Sequence, residues 1–171
     1  ADLVPVGETG KGYIGTNFSG IGTDFPALQD VIKHVIDAGK SQADPTTVGN
    51  VLYNRGLYNA VIIAEAIATA QKMTGKASIS GADMRNGLEN FVLDDARLAE
   101  LGLAGFTASL KGDCKDHEGG GSVFMQQWNG SDWEQLTDPI APMHDVVGPL
   151  LAAAAKNYIA DKPEWKTQTC N

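Results

Sequence analysis

Alternating strand-like and helix-like segments predict an α/β class for this chain. Three stretches carry that expectation. Residues 48–73, VGNVLYNRGLYNAVIIAEAIATAQKM, put Val48, Val51, Leu52, Val61, Ile62, Ala66, Ile67 and Ala70 at helical rather than strand spacing. Residues 123–128 read as a strand running into an Asn129-Gly130 hairpin signal, with a return over 133–137. Residues 146–159 form an Ala-rich helix with Val147, Leu150, Leu151, Ala154 and Tyr158 on its inner side.

In chain order, residues 1–11 are an irregular approach punctuated by Pro5 and Gly7. Residues 12–19 read as a strand weakened by its glycines. Asp24 is the expected N-cap of a helix over 25–38, with Pro26 in the first turn and Gly39 as the stop. His34 falls off its apolar stripe and reads as solvated. Thr47 is the expected cap of the long helix, and Gly75 its stop. Ser80 caps a short helix carrying Met84, Leu88 and Phe91. A further turn or two follows over 93–101, and 106–110 is a short strand. There is no internal repeat. So few strands leave the helices without enough sheet to cover.

Composition narrows the function classes. The 171 residues carry ordinary apolar content, which fits a globular chain. A net charge of −8 and a pI near 4.7 argue against a nucleic-acid partner, which needs clustered Lys and Arg. The apolar runs VIIAEAIATA and PLLAAAA are too short or interrupted to span a bilayer. The two cysteines, Cys114 and Cys170, read as a disulfide in an oxidising compartment and as free thiols in a reducing one.

No catalytic arrangement stands out. Cys114, Asp116 and His117 lie close in one loop, and a Cys/His pair can supply nucleophile and base. Such pairs usually meet through the fold rather than along a loop. The trio has no second cluster at zinc spacing, because His34 and His144 are remote in sequence. The bland reading is a structural loop whose glycines permit left-handed backbone. Gly7 to Gly12 lacks the order of a phosphate-binding loop and precedes a strand instead of following one. Asp94 and Asp95 read as a solvated helix cap. A binding role needs a cleft with aromatic walls and a few fixed polar atoms. Asn54 and Tyr58 are four residues apart on one helix face, so they can share such an edge. On pattern alone the favoured reading is the blander one, in which Tyr58 packs and Asn54 is solvated. Asn17 and Phe18 end the first strand, where Phe18 either stacks on a ligand or joins the core.

The segments GLYNAVIIAEAIATAQ, KGYIGTNFSGIGTDFPALQDV, SGADMRNGLENF and CKDHEGGGSVFMQQWNGSDWEQL together resemble bacterial periplasmic solute-binding proteins of branched-chain amino acid-type ABC transporters. The resemblance implies a type I periplasmic-binding, two-lobe fold of which only the C-terminal portion is present. It assigns 1–19 to the end of the second lobe and the hinge. It assigns 20–105 to first-lobe helices, and 106–171 to the third crossing with a hairpin and final helix of the second lobe. It implies no enzyme activity, cofactor or metal. The expected ligand is a small carboxylate, a branched-chain amino acid or an aromatic acid, held by Tyr58 with Asn54, Phe18 and Asn17. The expected partners are the N-terminal portion of the same protein and the transporter permease, with no nucleic acid. A periplasmic location favours a Cys114–Cys170 disulfide, and the similar Cys-x-Asp-His-x-Gly loop of those proteins favours the structural reading of that loop. A ligand sensor reporting to a regulatory partner is the alternative, with a small Cys/His hydrolase behind it.

Overall fold

A computed structural model describes residues 3–162, 164, 165 and 170. The elements are β1 (Ile14–Asn17), α1 (Pro26–Val31), α2 (Val51–Thr74), α3 (Gly81–Leu88), β2 (Val92–Leu93), α4 (Asp95–Glu100), β3 (Leu110–Lys111), β4 (Phe124–Trp128), β5 (Trp133–Gln135) and α5 (His144–Ala160). Helix α1 continues through a wider π turn, Ile32–Ile36.

Helix α2 is the long axis of the structure. It starts three residues later than the apolar pattern suggests. Pro45–Thr47 form a tight 3₁₀ turn, and Gly49 takes a φ of 88°. Asn50, not Thr47, is therefore the N-cap, its side chain accepting from Tyr53 N at 2.8 Å. Gly75 ends the helix in the left-handed region, as expected of a glycine stop. Helix α1 also differs from expectation, since Phe25 occupies the cap position and Asp24 provides no side-chain cap bond. Ser80 does cap α3, in a reciprocal box with Asp83. Asp94 caps α4 by accepting from Arg97 N.

Helices α2 and α3 lie against each other through small residues. Gly87 of α3 is buried beside Ala66 and Ala70 of α2, both fully buried. The main core lies at the other end of α2, where Leu28, Tyr58, Phe91, Leu93, Leu98, Leu103 and Phe106 form one cluster. Phe106 meets Phe25 edge-on at 5.0 Å between ring centres.

Two small antiparallel sheets complete the fold. One has the order β1-β4-β5, with Asn17 opposite Phe124 and Trp128 opposite Trp133. The predicted Asn-Gly turn joins β4 to β5, with Gly130 at a φ of 112°. The other sheet pairs β2 with β3. All of these pairings run antiparallel. Strand β1 reaches the helical core through Gly20 N, which donates to Phe106 O at 2.6 Å. Cys114 and Cys170 form a disulfide with their Cα atoms 5.6 Å apart.

The expected inner side of α5 is a correction. None of its residues is buried among those described, and Val147, Leu150, Leu151 and Tyr158 are all exposed. The apolar pattern is present, but neither sheet lies under it. Helix α2 likewise exposes Leu52, Ile63 and Ile67.

Candidate functional site

The site grows from the junction of β1 and α2. Asn17 ends β1 almost fully buried, and its amide fixes the turn that follows. Its Nδ2 donates to Ser19 O at 2.8 Å, and its Oδ1 accepts from Phe18 N at 3.0 Å. With its neighbours pinned, Phe18 projects outward and stays 39% exposed. Its ring lies 6.2 Å from that of Tyr58.

Asn54, one turn before Tyr58, is fully buried and faces the chain rather than a ligand. Its Nδ2 donates to Gly20 O at 3.0 Å and Gly22 O at 3.1 Å. It clamps the loop after β1 onto α2 and so sets the distance between Phe18 and Tyr58. Asn17 and Asn54 thus hold the frame, and Phe18 and Tyr58 form the wall.

That wall bounds a cleft of about 610 Å³. Ile62, Leu88, Phe91 and Leu110 extend its apolar lining. The size lies within the range of small-molecule sites. Thr107 and Ser109 supply hydroxyls, and residues of the 116–123 loop complete the lining. Burial pushes the Tyr58 phenol up from its ordinary value, partly offset by a hydrogen bond with the Thr107 side chain. The phenol is therefore neutral at physiological pH; Tyr58 is 6% exposed and packed in the core, so it offers the cleft only a small part of its surface.

Several polar groups around the rim are paired. Arg85 Nε donates to Glu89 at 2.8 Å. His144 Nε2 lies 3.0 Å from Glu118 Oε2, tying the loop to the start of α5. Cys114 is engaged in its disulfide, so the loop holds no free thiol beside His117. Among the described residues no group of His, Cys, Asp and Glu side chains is placed to hold a metal.

The sequence singled out the aromatic half of this cleft but not the part from β3 and the Gly-rich loop. Segment 107–112 carries no motif, and its Gly112 is packed against Leu88 and Phe91. Three consecutive glycines, Gly119, Gly120 and Gly121, all take positive φ, and they were the available signal for a shaped loop.

No family model matches the chain, and no curated protein matches it. Among solved structures, one described as an ABC transporter permease from the Pseudomonas fluorescens group matches with a TM-score of 0.90 and 38% identity. The match covers 99% of this chain and 41% of that one, so this chain spans about two fifths of its length. This finding overturns the resemblance to periplasmic solute-binding proteins, because the matched structure is described as a permease. It also removes the ground for making a permease this chain's partner. The segments that carried the resemblance are capped helices, a hairpin and tight turns, whose patterns record packing more than activity.

Proposed function

We propose that this chain is an extramembranous, ligand-holding portion of an ABC transporter component. The observation that carries the reading is the 38%-identical match to a structure described as an ABC transporter permease, spanning 99% of this chain. No helix among the described residues is long and apolar enough to cross a membrane, which supports placing this portion outside the bilayer. The Cys114–Cys170 disulfide supports the oxidising, extracytoplasmic side. The cleft between Phe18, Tyr58 and the 107–123 segment supports a small ligand with an apolar or aromatic body. Small carboxylates of that shape, such as branched-chain amino acids and aromatic acids, are the leading class. The chemistry is binding, not catalysis.

The exposed apolar residues of α2 and α5 support a further portion of the same protein packing over them. The matched chain has room for one, because this chain covers 41% of it. A ligand held between two such portions biases their relative arrangement by its differential affinity for the open and closed forms.

The test is native mass spectrometry of the purified protein with a panel of small carboxylates. One ligand is expected to add per chain, to persist in Tyr58→Phe and to be lost in Tyr58→Ala. Retention of the adduct by a folded Tyr58→Ala variant contradicts this site.

A further inference from the structure

We propose that Arg55 is the residue that recognises the ligand's carboxylate, an inference that rests on the binding role proposed for the cleft. The chain has three arginines. Arg85 pairs with Glu89 at 2.8 Å, and Arg97 pairs with Glu65 and Glu100, each at 2.8 Å. Arg55 has no carboxylate partner among the described residues, although the chain carries a net charge of −8. It is half-buried, so the missing partner is not explained by full solvation.

Its position is built. Arg55 Nη2 donates to Asn17 Oδ1 at 3.2 Å, and its guanidinium carbon stands 4.8 Å from the centre of the Phe18 ring. Asn17 is itself 2% exposed and anchored through Ser19 and Phe18, so the acceptor that holds the guanidinium is fixed. Neither holding group is charged, so the cation is oriented without being neutralised. Arg55 Nε is buried without a hydrogen-bond partner, and the fully buried Ser19 hydroxyl beside Asn17 is also unpartnered.

Arg55 lies three residues before Tyr58 on α2 and against the Phe18 ring that walls the cleft. A molecule whose apolar body lies along Phe18 and Tyr58 brings its acid group past the edge of the Phe18 ring to the guanidinium. The planar fork of Arg suits a carboxylate and discriminates it from a neutral amide, which cannot neutralise the charge.

The experiment measures calorimetric dissociation constants for leucine, benzoate and phenylacetate against leucinamide, benzamide and phenylacetamide. The proteins are wild type, Arg55→Met and Arg55→Lys. The wild type is expected to prefer the acid of at least one pair. Arg55→Met should weaken that acid about tenfold or more and leave the amide unchanged, with Arg55→Lys intermediate. Acid binding unchanged in Arg55→Met overturns the role of Arg55 while leaving the cleft assignment intact. If that unchanged binding comes with a lowered unfolding midpoint, Arg55 serves the fold through its contacts with Asn17 and Phe18, which also overturns the proposal. If neither acids nor amides bind the wild type, the cleft assignment and the role of Arg55 fall together.

Discussion

One chemical change, Gly→Ala, has opposite expected effects at two helical positions. Gly56 lies on the exposed side of α2, and a Cβ added there meets nothing within 4 Å. Replacing it removes backbone freedom from the unfolded chain and raises helix propensity, a gain of up to about 1 kcal/mol. Gly87 sits in α3 where that helix crosses α2. A Cβ there overlaps the Ala66 carbonyl oxygen and lies 3.0 Å from both the Ala66 carbonyl carbon and the Ala70 Cβ. The obstruction is helical backbone, which cannot swing aside, so the helices must separate. Overpacking of this kind costs about 1–3 kcal/mol. Set against the same propensity gain, Gly87→Ala should lose up to about 2 kcal/mol net. The propensity gain is common to both, so the two variants differ by the overpacking cost, about 1–3 kcal/mol. With a urea slope of about 2 kcal/mol/M, their midpoints separate by about 0.5–1.5 M. Urea unfolding followed by far-UV circular dichroism reads this directly. Midpoints that shift together, in either direction, refute the close crossing of α2 and α3.

Phe106→Ala should lower stability by about 3–5 kcal/mol, because the ring is fully buried against Phe25 and Tyr58; thermal melts would show the loss, and a loss under about 1 kcal/mol would contradict its place in the core. Reducing Cys114–Cys170, which lie 56 residues apart, should cost up to about 4 kcal/mol on the loop-closure account, seen as a lower urea midpoint with reductant present. Hydrogen bonds from the Ser80 backbone and hydroxyl hold the Asp83 carboxyl below its ordinary 3.8, aided by Lys76. A depressed folded-state value contributes stability above the unfolded-state value, and that contribution is lost as pH falls through the folded one. The difference in urea midpoint between pH 7 and pH 3 should therefore shrink in Asp83→Asn, and an unchanged difference would count against the capping box. Asn54→Leu keeps the branched shape but removes the clamp on Gly20 and Gly22, so hydrogen exchange after β1 should accelerate; unaltered protection would show that the clamp is dispensable.

Local rules made much of the fold legible. The Gly75 stop, the Ser80 cap and the Asn129-Gly130 turn each follow from residues within a few positions of one another, and all three are present. Helix α2 starts later than its apolar pattern, because Gly49 and the Pro45–Thr47 turn outweigh the run that begins at Val48. Strands β2 and β3 are two residues each, too short for any periodicity to register. The inner side assigned to α5 failed for a different reason, since a pattern shows that a helix needs a partner without showing where the partner is. At the site, Phe18 and Tyr58 were visible as aromatic residues at suggestive positions. The clamping role of Asn54 was not visible, because its acceptors lie 34 and 32 residues away in sequence. Arg55 does not stand out in the sequence, because a single Arg on a helix ordinarily reads as solvent-facing. Only the tertiary contact with Phe18, and the pairing of Arg85 and Arg97 elsewhere, set it apart.

The central claim is that the Phe18–Tyr58 cleft holds a small molecule, and calorimetric titration at two temperatures tests it most directly. The account predicts one site per chain with a negative heat-capacity change from apolar burial. It also predicts that Tyr58→Phe, which keeps the ring, retains most of the affinity while Tyr58→Ala loses it. A heat-capacity change near zero, or equal affinity in wild type and a folded Tyr58→Ala, would contradict it.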